Sequence, residues 1–436
     1  MFIMFSYIIV NKTISGMGMG GIAINIIGII IVLILSIQYK RLELLLLLFI
    51  LNIIVGPFLL INFKDLDLSS IGRIDFFIGN LFFLYFIFNK GKNIVFPLIL
   101  DMLIVISSFY NFQNLIEHIN ILYAYISKVS IGYFFYYYWI NYNKYNKKYI
   151  LQIIFYILLI HLFFSLIQFI YPIYPRASAS GAGLTIMGHM LNRPLGLLAA
   201  SFVYGASTIF ILMFYIKYKI RLNIIDKIVL VLLVTISMVS TRSVILSTLI
   251  FCLYIIFKQY IMKYKTILLF SIISIIFIVI GTNSSLAFLD KSNATKILLW
   301  YLAIHDLVTN SSLLQILFGH GIETAANLMD TVEGFVNITA FSLSYSGDAL
   351  NAGHIHLHNI FVQLIYEHGI IIFIFFNIYI YKVIKFILHY KNNINIEIFL
   401  FFTILINYSL HNGIFTPFLT AILLILLHYK KYGVQK

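Results

Sequence analysis

Three histidines alternate in His354-Ile355-His356-Leu357-His358, and the chain continues into a polar stripe of Asn359, Gln363 and Glu367 at i, i+4, i+8 spacing. An imidazole changes charge near neutral pH, so His358 is suited to work as a general base. An apolar run, Ile370 to Phe376, follows directly. The stripe is therefore expected to enter a membrane on one helix face, and polar groups in hydrocarbon must face protein, a cavity or a site. In an extended chain the three histidines would share a face and could hold zinc; in a helix only His354 and His358 align. No carboxylate or cysteine lies nearby in sequence to complete a ligand set, so the expected site holds neither metal nor cofactor. His161, His389 and His411 read as structural or interfacial.

A second kind of chemistry is phosphate binding. Arg242 stands in Ser240-Thr241-Arg242-Ser243, at a short turn between two apolar runs, and Arg176 and Arg193 flank a Gly- and Ser-rich loop over 172–194. Lys296 lies in the longest polar loop. The planar arginine fork makes bidentate, charge-assisted bonds to a diphosphate. The structural alternative is that such arginines meet lipid headgroups or cap helices.

The elements that must position these residues follow from composition. Of 436 residues, 62% are hydrophobic and 10% charged, with a mean hydropathy of +1.00. A soluble domain of this size could not cover its surface with so few charges. Apolar stretches of about 17–25 residues place spans near 22–38, 43–62, 74–89, 93–109, 119–140, 149–171, 195–216, 226–240, 243–257, 265–282, 358–381, 396–410 and 413–428. The expected fold is all-α: a polytopic transmembrane bundle of about 12–13 spans with one large helical periplasmic loop. Three regions follow: a bundle over 1–282, the loop over 283–357, and terminal spans with a short cytoplasmic tail over 358–436.

The net charge of +14 has the distribution of a membrane protein. Twenty of the 29 basic residues fall in alternate loops, among them Lys90 and Lys92, Lys217 to Lys227, Lys382 to Lys391, and Lys430 with Lys431. The positive-inside rule puts those loops in the cytoplasm, and nucleic acid is not an expected partner. No cleavable signal peptide is expected, because Met1–Val10 is short and has no basic lead. The single cysteine, Cys252, excludes disulfides within the chain and a thiolate metal site.

On the other side, the 283–357 loop holds six of the fifteen acids: Asp290, Asp306, Glu323, Asp330, Glu333 and Asp348. A connector of this length is expected to carry structure of its own. Ser292-Asn293 before Ala294–Val308 reads as a capped amphipathic helix, and Phe318-Gly319-His320-Gly321 ends a second helix or turn. Two charges fall inside spans: Asp101 in 93–109 and Lys128 in 119–140. Each lies about nine residues from the outer end of its span, roughly 13 Å deep, so a mutual ion pair is expected. Asp65-Leu66-Asp67 is an acidic motif in the first outward loop, a pattern that also arises by chance. The Gly16–Gly21 run lacks the strand and the Lys-Ser/Thr of a phosphate loop.

Four pieces in order resemble the O-antigen polymerase and O-antigen ligase superfamily. Arg193-Pro-Leu-Gly196 resembles its R-x-x-G, and Ser240-Thr-Arg-Ser243 its arginine turn. Trp300 followed by Phe318-Gly-His-Gly321 resembles W…(L/F)-G-x-G, and His358-Asn359-Ile-Phe-Val-Gln363…Glu367-His-Gly369 resembles H-N-x-x-L-Q…E-x-G. The match covers about residues 190–375; Val362 and Lys296 depart from it, the family usually carrying arginine where Lys296 stands.

The resemblance implies an inverting, metal-independent glycosyltransferase of the bacterial inner membrane with its active site facing the periplasm. It makes Arg242 the diphosphate-binding residue and His358 the catalytic residue beside the acceptor. Arg193, Lys296, Arg176, His356, Asn359, Gln363 and Glu367 complete the substrate-binding set. The implied partners are an undecaprenyl-pyrophosphate-linked oligosaccharide, membrane lipids and a chain-length regulator protein. A polymerase would pass the chain to a lipid-linked repeat unit, whereas a ligase would pass it to lipid A–core; the polymerase is the favoured expectation. The alternatives are a polysaccharide or lipid exporter, which would show related halves, and a polyprenyl-phosphate-sugar transferase using Asp65 and Asp67.

Overall fold

A computed structural model describes residues 74–89, 91–108, 115–141, 147–170, 183–186, 189–192, 201–218, 223–237, 291–322, 324, 357, 359–389, 395–409 and 416–433. Asp65, Asp67, Arg176, Arg193, Arg242, Cys252, His354, His356 and His358 lie outside the described residues, as do the expected spans over 22–38, 43–62, 243–257 and 265–282.

Among the described residues, the apolar stretches expected as helices are helices. They are α1 (Ile74–Phe88), α2 (Val95–Ser108), α3 (Leu115–Asn141), α4 (Lys147–Ile170), α5 (Ser201–Tyr218), α6 (Ile224–Ser237), α9 (Ile360–His389), α10 (Asn395–Ser409) and α11 (Pro417–Tyr432). The long polar loop contributes α7 (Lys291–Thr309) and α8 (Leu313–Phe318). Ser312 caps α8 through a reciprocal box with Gln315. The described fold is thus helical, apart from one addition within the 172–194 loop. There β1 (Gly183–Ile186) and β2 (His189–Asn192) form an antiparallel ribbon, Gly183 opposite Asn192 and Ile186 opposite His189. Among the described residues, α9 is the one helix long and apolar enough to cross a membrane by length and composition; α1, α2, α4, α5 and α10 contain shorter apolar helices.

The middle of the fold is α3, which packs on α1, α2 and α11; α11 in turn packs on α9 and α10. From Val129 to Tyr136 every residue of α3 is buried, so this helix has no solvent face over two turns. Its filling is aromatic. Phe82 and Phe86 of α1 pack against Phe134, Tyr133 and Tyr137 of α3, and Phe135 stacks with Phe418 of α11. Such rings bring large buried area and preferred edge or offset geometries, which fix helix register better than aliphatic packing.

Helix ends sort into two groups. At one end the Lys217 ammonium pairs with Glu397 and donates to Tyr429 Oη at 3.0 Å. Tyr429 Oη and Trp139 Nε1 also donate to Glu397, at 3.1 and 3.3 Å. Lys92 lies over the Tyr432 ring, and Tyr136 Oη meets His428 Nδ1 at 2.8 Å. The ends of α2, α3, α5, α10 and α11 that meet here are those the charge pattern assigned to one side. At the opposite end Phe76 packs on Tyr123, and Ser107 Oγ meets His368 Nδ1 at 3.1 Å.

The expected Asp101–Lys128 pair does not form: among the described ion pairs none joins them. The Lys128 ammonium stands 4.6 Å from the Tyr125 ring centroid on its own helix. Asp101 is buried on the α2 face that carries Leu100 and Ile104, and its Oδ1 has no hydrogen-bond partner. Equal depth on antiparallel helices says nothing about rotation around each helix axis, and rotation decides which side chains meet.

Four helices converge on Glu397, so removing one charge there leaves the other buried. We expect Lys217→Met or Glu397→Gln to cost roughly 3 kcal/mol, the low end for a buried pair because Lys217 is partly exposed. The double variant should recover part of that loss. Folded yield and thermal unfolding in detergent are the measurements; single variants as stable as the parent would show that the pair contributes nothing.

Candidate functional site

The stripe that opens the candidate site is held at both ends. Asn359 starts α9: its Oδ1 accepts from the amides of Phe361 and Val362 at 2.9 and 3.2 Å, and its carbonyl from Gln363 N at 2.9 Å. An asparagine at this position satisfies amide donors that have no partner inside the helix. One turn on, Gln363 Nε2 donates to Glu367 Oε2 at 2.9 Å, with both side chains buried (2% and 0% exposed). Gln363 and Glu367 therefore face protein.

The helix then breaks. Gly369 has φ 78° and ψ 173°, in a region open essentially to glycine, so α9 is two legs, 360–368 and 370–389. The break ends the i→i−4 ladder and leaves the last carbonyls of the first leg without helical donors. The Phe318-Gly-His-Gly321 turn supplies them: His320 N donates to the Tyr366 carbonyl at 2.9 Å, and Gly321 N to that of Glu367 at 3.0 Å. This requires two backbones to touch. A methyl group on Gly369 would lie 2.5 Å from Gly319 N, and one on Gly319 would lie 2.5 Å from His368 N. Gly319 itself sits at φ 87°. The two glycine motifs, about 50 residues apart in sequence, thus meet at one crossing.

α7 lies along the first leg and fastens it twice. Leu299 and Ala303 bury against Leu357 and Tyr366, with Trp300 and Val362 packed beside them. The Trp300 indole N–H donates to the Leu357 carbonyl. At the other end Tyr366 Oη donates to Asp306 Oδ2 at 3.0 Å. The His320 ring stacks on Tyr366, centroids 4.3 Å apart, with Nδ1 3.3 Å from the Tyr366 carbonyl and Nε2 3.0 Å from Ser311 Oγ. Because a carbonyl only accepts, this geometry puts the neutral imidazole's proton on Nδ1. Burial holds the His320 imidazole below its ordinary value, against smaller opposing pulls from the Tyr366 carbonyl and the Asp306 carboxylate 3.7 Å away.

Of the sequence-derived set, Asn359, Gln363 and Glu367 lie in order along the start of α9, Asn359 as its cap and Gln363 bonded to Glu367. Lys296 lies in the first half of α7, upstream of Trp300. Arg176, Arg193, Arg242, His356 and His358 lie outside the described residues. Asp306, Ser311, Tyr366 and the ring of His320 are additions. A signal for Asp306 was present: it continues the buried stripe Leu299, Ala303 at i+4 and i+7. Among the described residues no group of three or more His, Cys, Asp or Glu could hold a metal.

Two expectations follow. Gly369→Ala should unfold the crossing, because it combines a strained backbone with a backbone collision; we expect a loss of more than about 3 kcal/mol. Gly319→Ala should do the same, and protease resistance of the 291–369 segment would report both. The second concerns His320. Its docked value lies below the undocked one, so docking is fully stable above about pH 6.5 and loses stability as pH falls toward the lowered value. Hydrogen exchange of the His320 and Gly321 amides, corrected for intrinsic rates, should speed up as pH falls below about 6.5, and His320→Gln should flatten that dependence.

Comparison of the chain with family models, with curated proteins and with solved structures gives no match.

Proposed function

We propose that this protein is a polytopic glycosyltransferase of the bacterial inner membrane that polymerises an envelope polysaccharide, O-antigen or capsule, at the periplasmic face. The reading comes from the resemblance of four ordered motifs to the O-antigen polymerase and ligase superfamily. One observation carries it further: two of those motifs, 318–321 and 359–369, pack on each other through paired glycines and exchanged backbone bonds. A chance string of motif letters has no reason to pack as a unit.

The broken helix also fits a membrane boundary. From Ile370 to His389 the second leg has 20 residues, about 30 Å at 1.5 Å per residue, the thickness of a hydrocarbon core. The first leg, with α7 and α8, then stands outside it, and the lysine-rich helix ends lie on the cytoplasmic side. On this reading the stripe of Asn359, Gln363 and Glu367 ends where the membrane begins. The His368 contact with Ser107, at the end of α2, marks that level.

The donor is a glycan on undecaprenyl pyrophosphate, and the acceptor is a lipid-linked repeat unit. His358 takes the proton of the acceptor hydroxyl, whose oxygen attacks the anomeric carbon. The bond from that carbon to the diphosphate oxygen breaks with its electron pair, and the configuration inverts. Arg242, with Arg193 or Lys296, holds the negative charge that the leaving diphosphate gains. Membrane lipids surround the polyprenyl chains, and a chain-length regulator is the proposed protein partner.

Cells carrying His358→Ala or Arg242→Ala should make single repeat units only, with the protein still inserted in the membrane. Purified protein should elongate lipid-linked units in excess EDTA. Wild-type chain length from either variant would defeat the assignment. A strain that attaches no repeat unit at all to lipid A–core would indicate the ligase instead.

A further inference from the structure

Trp300 holds its place through a bond that packing alone does not require. Its ring sits beside Leu299, Ala303, Leu357 and Tyr366, where any large apolar side chain would add to the burial. Its indole N–H, however, is committed to one acceptor, the carbonyl of Leu357. That carbonyl belongs to the last residue before His358, and the next residue after it, Asn359, is fixed as the helix cap by two side-chain bonds. Leu357 and Asn359, the two sequence neighbours of His358, are therefore both held. On one side the anchor is a side chain from α7, nearly 60 residues upstream; on the other it is the cap of α9 itself.

Six residues after Trp300 on α7, Asp306 accepts from Tyr366 at the far end of the same leg. The two bonds lie in the same order along α7 and along the 357–366 stretch. They set the axial position of the leg against α7, while the glycine crossing fixes its lower end. A leg held only by apolar contacts could slide or roll, since dispersion and burial are non-directional. Two directional bonds remove that freedom.

We infer that Trp300 is a positioning residue for the transfer reaction: its indole N–H fixes the carbonyl of Leu357, the residue that precedes His358 in the chain. The inference rests on the reading of His358 as the base. Trp300 need not touch substrate for this role, so its donor should matter for turnover and not for substrate affinity. A general base must come within hydrogen-bond reach of the proton it takes, and a misplacement of about 1 Å can lower turnover by about 100-fold.

The test uses the full-length protein in detergent or nanodiscs, with lipid-linked repeat units extracted from host cells lacking it. Benzothienylalanine at position 300 keeps the bicyclic shape and removes the N–H, so packing and folding are retained; Trp300→Phe is the simpler companion. The expected result is a fall in kcat of about 10- to 100-fold, with KM for the lipid-linked unit within about twofold and an unchanged folded fraction. Parental kcat in the isostere, with His358→Ala inactive, would overturn the inference alone. A raised KM with unchanged kcat would also overturn it, because Trp300 would then be a substrate contact. Turnover by His358→Ala would overturn the underlying reading instead.

Discussion

A buried carbonyl needs a donor, and this structure meets that need across two distant stretches of chain. Breaking α9 at Gly369 strands the carbonyls of Tyr366 and Glu367, and the turn after α8 supplies their donors. The arrangement works only with glycine on both sides, since Gly319 and Gly369 meet backbone to backbone at positive φ. The contacts between α7, α8 and the first leg depend on it. Once the turn is seated, His320 stacks on Tyr366, Tyr366 reaches Asp306, and α7 lies along the first leg.

The opposite end of the molecule solves a different problem by a similar means. There the demand comes from charge: Lys217 and Glu397 are brought into an aromatic interior. Tyr429 and Trp139 donate to the carboxylate while their rings face the ammonium. Ion and rings offset the desolvation of each other, which apolar packing could not do. Between the two ends the core is almost wholly apolar, and α3 is buried around its full circumference in mid-length. The molecule thus has two polar layers separated by one apolar layer. This is the layering expected of a chain that the proposed function places in a membrane.

This layering bears on how the proposed chemistry could be organised. Diphosphate and sugar hydroxyls belong at a water-facing boundary, and polyprenyl chains belong in hydrocarbon. On the proposed function the break in α9 would serve both: a first leg capped by Asn359, and an apolar second leg of 20 residues. Gln363 and Glu367 take the inward side of the polar leg, where their bond to each other stabilises its last turn.

Composition and hydropathy by themselves determined where the described helices form, because a long apolar run satisfies its own backbone groups most directly as a helix. They also determined which helix ends gather, through the alternation of lysines. Within the site, the helix around Trp300 and the glycine turn at 318–321 were legible as local patterns, although that helix starts at Lys291 and so takes in Ser292 and Asn293, expected as its cap. What only the tertiary structure decided was rotation and contact. Asp101 and Lys128 matched in depth and still did not pair, because sequence gives axial position but not helix phase. Gly369 reads in sequence as one glycine inside an apolar helix, a mild cost. It becomes a break because Gly319 arrives against it. Asp306, Tyr366 and His320 show no periodicity in common, and they form one cluster solely because that crossing brings α7, α8 and α9 together.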